Sequence, residues 1–360
     1  MPIDNFWQKL QRPIVGLAPM DGVTDAAFRG IAIKYGRPDI MFTEFVAVDG
    51  INASAVRVLE AFIYSESERP IVAQVFGSDP DNFYKSAAVV CALGFDGMDI
   101  NMGCPDKDVV RIGSGASLID RPHEARAIVL AAKRGIADFA SGKTLEEFDL
   151  RPEIVARIHE LNAAAGREVA CREIPVSVKT RLGTRENTVK EWAKHLAGME
   201  LANVALHGRT LKQMYSGVAD WEAIATAAEI IKPSGASVLG NGDIKTRADL
   251  EARAAKYGLD GALIGRAALG NPWVFNNLEV EPPNVAPNTA ERLRVAVEHA
   301  ELYEKLFPGR RFTDMRKHLA WYAHGFAGAS ELRAQLVHAD SAAETRDIIH
   351  KFTLLNRAQI

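Results

Sequence analysis

Gly97-Met98-Asp99-Ile100-Asn101-Met102-Gly103-Cys104-Pro105 is the stretch that decides the fold. Gly97 to Asn101 has the length and apolar character of a buried strand, and it breaks into a polar loop that leads to a long amphipathic segment. Seven other runs share this form: Ile14 to Ala18, Ile40 to Thr43, Ile71 to Phe76, Val176 to Thr180, Val204 to His207, Ser237 to Gly240 and Gly261 to Gly265. Eight strand-helix units within about 250 residues predict an α/β protein built on a closed (β/α)8 TIM barrel rather than an open doubly wound sheet. No Gly-x-Gly-x-x-Gly follows the first strand, so a Rossmann nucleotide fold lacks its fingerprint.

Working outward, the rhythm is interrupted once, by Ile136 to Pro152, which reads as an insertion of the barrel, residues 1–275. Asn276 to Asn288 carries Pro282, Pro283 and Pro287 in a polar setting and reads as a linker. Residues 289–360 then show helical periodicity, with Leu293, Val297, Ala300 and Leu302 on one face, followed by Leu319, Tyr322 and Phe326, and by Leu332, Leu336 and Ile348. A small C-terminal all-helical domain of four helices is the expectation.

With 360 residues, 48% hydrophobic and 25% charged, the chain can bury a large core. Its net charge of −3 gives no global mark of a polyanion binder, so any nucleic-acid contact must be local. Cys91, Cys104 and Cys171 form no Cys-x-x-Cys pair, which argues against a disulfide framework and against a metal site. A reducing cytoplasm is the natural location. No apolar run reaches the roughly 20 residues of a membrane span, and Met1 to Leu10 lacks a signal-peptide pattern. Oligomeric state is left open, a monomer being compatible with the sequence.

Barrel enzymes carry their chemistry where strands end. Those positions here are polar: Pro19-Met20-Asp21-Gly22, Glu44, Gln74, Asn101 to Pro105, Lys179-Thr180-Arg181, His207-Gly208-Arg209-Thr210, Asn241-Gly242-Asp243 and Gly265-Arg266. The last two loops have the character of a phosphate site, because glycines let backbone N–H groups approach an anion and barrels commonly bind phosphate after strands seven and eight.

In order along the chain, these motifs resemble the signature of the tRNA-dihydrouridine synthases, and Asn-x-Gly-Cys-Pro at Asn101 to Pro105 is the most specific of them. The resemblance continues into Met315-Arg316-Lys317-His318-Leu319-Ala320-Trp321-Tyr322, which is similar to the helical domain of bacterial B-type members. It implies FMN as cofactor, NADPH as reductant and a uridine of tRNA as substrate. It places Pro19, Met20 and Asp21 along the flavin and Gln74 and Lys179 at its polar ring edge. His207, Asn241, Gly242, Asp243, Gly265 and Arg266 fall near the ribityl chain and phosphate. A lysine beside the ring favours the hydride-donating anion. The family's pattern often has a second glycine where this chain reads Gly265-Arg266-Ala267.

Reduction of the uracil C5=C6 bond needs a hydride at C6 and a proton at C5. A thiol with a free pKa of about 8.5 is mostly protonated at neutral pH, which suits Cys104 as general acid. Asn101 and Arg181, and after them Arg209, are the candidates to hold the base carbonyls. Glu291 to Ile360 holds eleven Lys/Arg and nine Asp/Glu, a mildly basic balance. Arg310-Arg311 and Arg316-Lys317-His318 are its clearest cluster, so Arg316 and Lys317 are the candidate phosphate contacts for tRNA. Two other functions fit parts of the pattern: a flavin barrel acting on a free pyrimidine or small enone, and a non-catalytic RNA-binding module.

Overall fold

A computed structural model describes residues 5–53, 55–276 and 288–356. Nine short strands make one parallel sheet: β1 (Ile14–Leu17), β2 (Met41–Phe42), β3 (Val46–Ala47), β4 (Ile71–Phe76), β5 (Gly97–Met102), β6 (Val176–Arg181), β7 (Asn203–His207), β8 (Ser237–Asn241) and β9 (Gly261–Ile264). They pair in the order β1-β9-β8-β7-β6-β5-β4-β2, with β3 also on β4. A parallel bridge between Gly16 and Ile40 brings β1 to β2 and closes the ring. The expected eight-place barrel is present, and β2 and β3 share its second place.

That division has a local cause. After Phe42 the ladder is continued by a side chain, since Gln74 N donates to Thr43 Oγ1 at 3.0 Å while Thr43 Oγ1 donates to Glu44 O at 2.8 Å. The other seam, β1 against β9, depends on Gly261. Its φ is +154°, and a Cβ there would lie 2.1 Å from Ile14 O, so any side chain would push the seam apart.

Alternation along each strand divides the residues between two environments. Phe42, Val72, Ala205, Leu239 and Leu263 fill the barrel with Trp7, which comes from the turn Phe6–Gln8. Residues pointing outward, such as Val75, Ile100, Val178 and Val204, pack under the surrounding helices. Side-chain caps start several of those helices: Asp25 accepts from Phe28 N, Asp220 from Ala223 N and Thr246 from Asp249 N. The segment expected as an insertion is partly regular. The helix Pro122–Ala140 continues past Ile136, and the irregular part holds the turn Glu146–Phe148, a left-handed Asp149 and a buried Phe148.

Four helices follow the barrel: Thr289–Leu306, Thr313–Tyr322, Ala329–Leu336 and Ala342–Leu355. Leu293, Ala296, Leu319, Leu332 and Leu336 share a core with Ala26, Ala27 and Ile31 of the barrel helix Ala26–Tyr35. Arg310 Nε adds a 2.8 Å bond to Glu60 Oε2 of the barrel. Most of the expected linker, 277–287, lies outside the described residues. Among the described residues no helix is long and apolar enough to cross a membrane.

Candidate active site

The strand ends open into a cavity of about 680 Å³. Its wall takes Pro19, Met20 and Asp21 after β1, Asn101 and Cys104 at β5, Lys179 and Arg181 on β6, His207 on β7, Asn241, Gly242 and Asp243 at β8, and Gly265 and Arg266 after β9. Residues far apart in the chain are thus brought together by one end of the barrel. A second cavity, about 500 Å³, lies at the strand-start end. Its Arg69, Arg167 and Arg172 are paired with Glu66 and Asp96, so it offers no unsatisfied charge from these three.

The loop bearing Cys104 is held from three sides. Asn101 Oδ1 accepts from Gly103 N at 3.0 Å and from Cys104 N at 2.8 Å. Arg181 Nε donates to Gly103 O at 2.6 Å, and Ala116 N donates to Cys104 O at 3.1 Å. Burial pushes the Cys104 thiol up, with the charges of Asp106 and Asp21 acting in the same sense. The thiol therefore stays protonated at neutral pH. On β6, burial, aided by nearby Arg181 and opposed by Asp99, lowers Lys179 to about 8.

The corner at β7, β8 and β9 is strongly basic. His207 is driven down to about 2 by burial and by Lys179, Arg181, Arg209 and Arg266, so it is a neutral imidazole. Burial would raise Asp243, but the Arg209 hydrogen bond overrides it and holds the carboxylate low. Asp243, itself left-handed with φ +53°, accepts from Arg209 Nη2 at 2.7 Å, Arg266 Nη2 at 3.1 Å and Ala219 N at 2.9 Å.

Three expected site residues lie elsewhere. Gln74 is fully buried one layer behind Asn101, to which it is bonded. Arg209 is only 2% exposed and sits beneath the loop that follows β7, donating to Ser216 O at 3.1 Å and Gly217 O at 2.6 Å. In this arrangement it braces the loop and does not line the cavity. Arg316 is engaged within the helical domain by Ala339 O and Asp340. Its neighbour Lys317 is exposed and reaches back toward Asp21 and Gly22 at the cavity rim.

Sequence reasoning missed two residues. Tyr215 lines the cavity, is 61% exposed and lies under the Arg266 guanidinium at 5.3 Å from the ring centre. Asp99 is completely buried below Gln74 and Lys179. Tyr215 belongs to an irregular loop without periodicity, whereas Asp99 carried a usable signal: a carboxylate on the inward side of a strand two residues before Asn101.

These residues suit a phosphorylated, electron-rich cofactor. Arg266, exposed on the cavity wall, spends one guanidinium donor on Asp243, leaving donor capacity in the basic corner. A Cβ on Gly265 would meet nothing closer than Met20 Sδ at 3.7 Å, so that backbone is open to the cavity. Among the described residues no cluster of His, Cys, Asp and Glu is arranged to hold a metal ion.

Fold and site together define a (β/α)8-barrel enzyme with a strongly basic corner after β8 and β9 and a cysteine thiol across the cavity, on the loop after β5. The chain belongs to the dihydrouridine synthase family, whose profile matches residues 16–144 and 151–359. It is 35% identical over 360 residues to a probable tRNA-dihydrouridine synthase of Staphylococcus aureus (strain COL), covering 97% of this chain and 96% of that one. The probable tRNA-dihydrouridine synthase 2 of Bacillus subtilis (strain 168) is 34% identical, with 97% of each chain covered. Among solved structures, a ligand-free DHODH from Eimeria tenella matches with a TM-score of 0.47 at 13% identity, covering 78% of this chain and 83% of that one.

Proposed function

We propose that this protein reduces the C5=C6 bond of uridines in tRNA, with FMN as bound cofactor, NADPH as reductant and Cys104 as the proton donor. The observation that carries the reading is the Cys104 thiol, kept protonated on a cavity wall whose other side is a basic corner where Arg266 has donors to spare. Membership of the dihydrouridine synthase family, and relatives named for tRNA, support the choice of substrate.

When bound, FMN would supply the hydride for C6. Lys179 is the residue to hold negative charge at the ring edge, and an anion arriving beside it would offset the burial that lowers its pKa. His207, Asn241, Gly242, Asp243, Gly265 and Arg266 form the corner for the ribityl chain and phosphate, with Pro19, Met20 and Asp21 along the ring. Asn101 has one Nδ2 hydrogen left after bonding Gln74, and Arg181 has donors beyond its bond to Gly103 O, so both can hold uracil carbonyls. Cys104 then gives its proton to C5, and the resulting thiolate is reprotonated from solvent.

A base enters this cavity only after leaving its stack, at a cost of a few kcal/mol. Contacts elsewhere on the RNA must compensate, and Lys317 on the rim is the candidate that the helical domain presents. The test is direct: the purified protein should carry a flavin chromophore and form dihydrouridine from NADPH and unmodified tRNA. A colourless protein, or one that turns over only free pyrimidines, would refute the proposal.

A further inference from the structure

Asp99, Asn101 and their neighbours form two adjoining polar layers inside the barrel. Gln74 and Ser177 are the register partners of Asp99 on β4 and β6, and Lys179 is the partner of Asn101. Strand alternation turns Asp99 and Asn101 inward, while Met98 and Ile100 face the helices.

Within these layers the hydrogen bonds run in one direction. Asp99 Oδ1 accepts from Ser177 Oγ at 2.6 Å, and Asp99 Oδ2 accepts from Gln74 Nε2 at 2.7 Å. Gln74 Oε1 accepts from Asn101 Nδ2 at 3.0 Å, and Asn101 Oδ1 accepts from the backbone N–H groups of Gly103 and Cys104. A side-chain amide can face either way, but an ionised carboxylate only accepts. Asp99 at one end and two N–H groups at the other therefore demand the same orientation of both intervening amides.

We infer that Asp99 is a positioning residue that acts through Gln74 and Asn101 to hold the Cys104 loop in place. Its acceptor oxygen turns Gln74 so that Oε1 meets Asn101, and this turns Asn101 so that Oδ1 meets the cysteine loop. Without it, Gln74 Nε2 is a buried donor with no partner, and the amide gains by rotating away from Asn101. Burial raises Asp99 to about 6, so the group is ionised at neutral pH, with Lys179 the charged side chain facing it. The catalytic importance of the loop rests on the function proposed above; the linkage itself does not.

Hydrogen exchange of the Gly103 and Cys104 amides reads the linkage without any substrate. Asp99→Leu keeps the shape and removes the acceptor, whereas Asp99→Asn keeps an acceptor for Gln74 while discarding the charge. In the flavin-loaded protein, D99L should exchange these two amides at least about tenfold faster and lose about tenfold or more in turnover while retaining its flavin. D99N should stay within about threefold of the parent exchange rate. Unchanged exchange in D99L, or equal opening in D99N and D99L, overturns the inference. If D99L does not fold, Gln74→Met cuts the same chain one step later. Faster exchange at Gly103 and Cys104 supports the linkage there, and unchanged exchange overturns it. Failure of the parent protein to make dihydrouridine would refute the function alone, because the exchange rates do not depend on it.

Discussion

Lys317 Nζ stands over Gly22, close enough that a Cβ on the glycine would lie 3.2 Å from it. The second helix of the C-terminal domain thereby delivers a cation to the first loop of the barrel mouth, beside Asp21. Lys317→Ala should weaken tRNA binding and reduce the dependence of log affinity on log salt by about one. Flavin content and thermal stability should be unchanged. A salt dependence equal to that of the parent would show that Lys317 makes no phosphate contact.

Cys104→Ala should keep the flavin and lower turnover by about 10²- to 10⁴-fold, the usual span of general acid catalysis. The pH profile of the parent has a definite sign. Because burial holds the thiol above its ordinary value, the rate should be level through neutral pH and decline only in the alkaline range. A decline starting near neutrality would point to another proton donor.

Glu44 is buried near Asp25 and Asp21, and burial, aided by their charges, raises it from 4.5 to about 7. Between those two values the folded protein holds a proton that the unfolded chain releases. Stability therefore falls as pH rises through that window and levels off above about 7. The effect is at most about 3 kcal/mol, and less once relaxation and water are allowed for. Glu44→Gln should raise the melting temperature at about pH 8 and make little difference near pH 4, read by calorimetry at both values. An equal change at both would mean that ionisation is not the cause.

Arg209→Ala should leave Ser216 O and Gly217 O without their donor and Asp243 with only Arg266 and Ala219 N. Because Asp243 is only partly buried and keeps Arg266, the cost is that of the orphaned loop carbonyls, about 1–3 kcal/mol. The damage should be local as well as global, with faster proteolysis between Leu211 and Val218 and weaker flavin retention through a displaced Asp243. Stability within error of the parent would show that the loop is held by other contacts.

Much of this was legible before any coordinates. Strand positions follow from alternation and turn chemistry, which are local, and β4 matches the expected Ile71 to Phe76 run at both ends. Cys104, Lys179 and His207 could be placed at one mouth because parallel strands fix which end each loop occupies. What the sequence hid is who satisfies whom. Arg310, Arg316 and His318 read as one basic cluster, yet Arg310 is taken by Glu60, Arg316 by Asp340 and backbone oxygens, and His318 is buried against Phe28 and His299. Charge counting gives each side chain equal weight, while tertiary packing leaves Lys317 as the member exposed at the rim. The burial of Arg209 beneath the loop after β7 has the same origin, and the break after Phe42 depends on a threonine hydroxyl replacing a ladder carbonyl, which no periodicity records.

The seam between β1 and β2 is narrow, joined by the Gly16–Ile40 bridge, the bonds from Leu17 N to Ile40 O and Asp39 N to Val15 O, and the Asp39 side chain accepting from Val15 N. The helix connecting those two strands, Ala26–Tyr35, is also the one that the C-terminal helices grip through Ala26, Ala27 and Ile31. The appendage is thus a clasp on the hoop as well as a neighbour of the mouth. An engineer grafting the helical tail of one relative onto the barrel of another would have to transplant that helical face with it, or inherit a ring sprung at its own fastening.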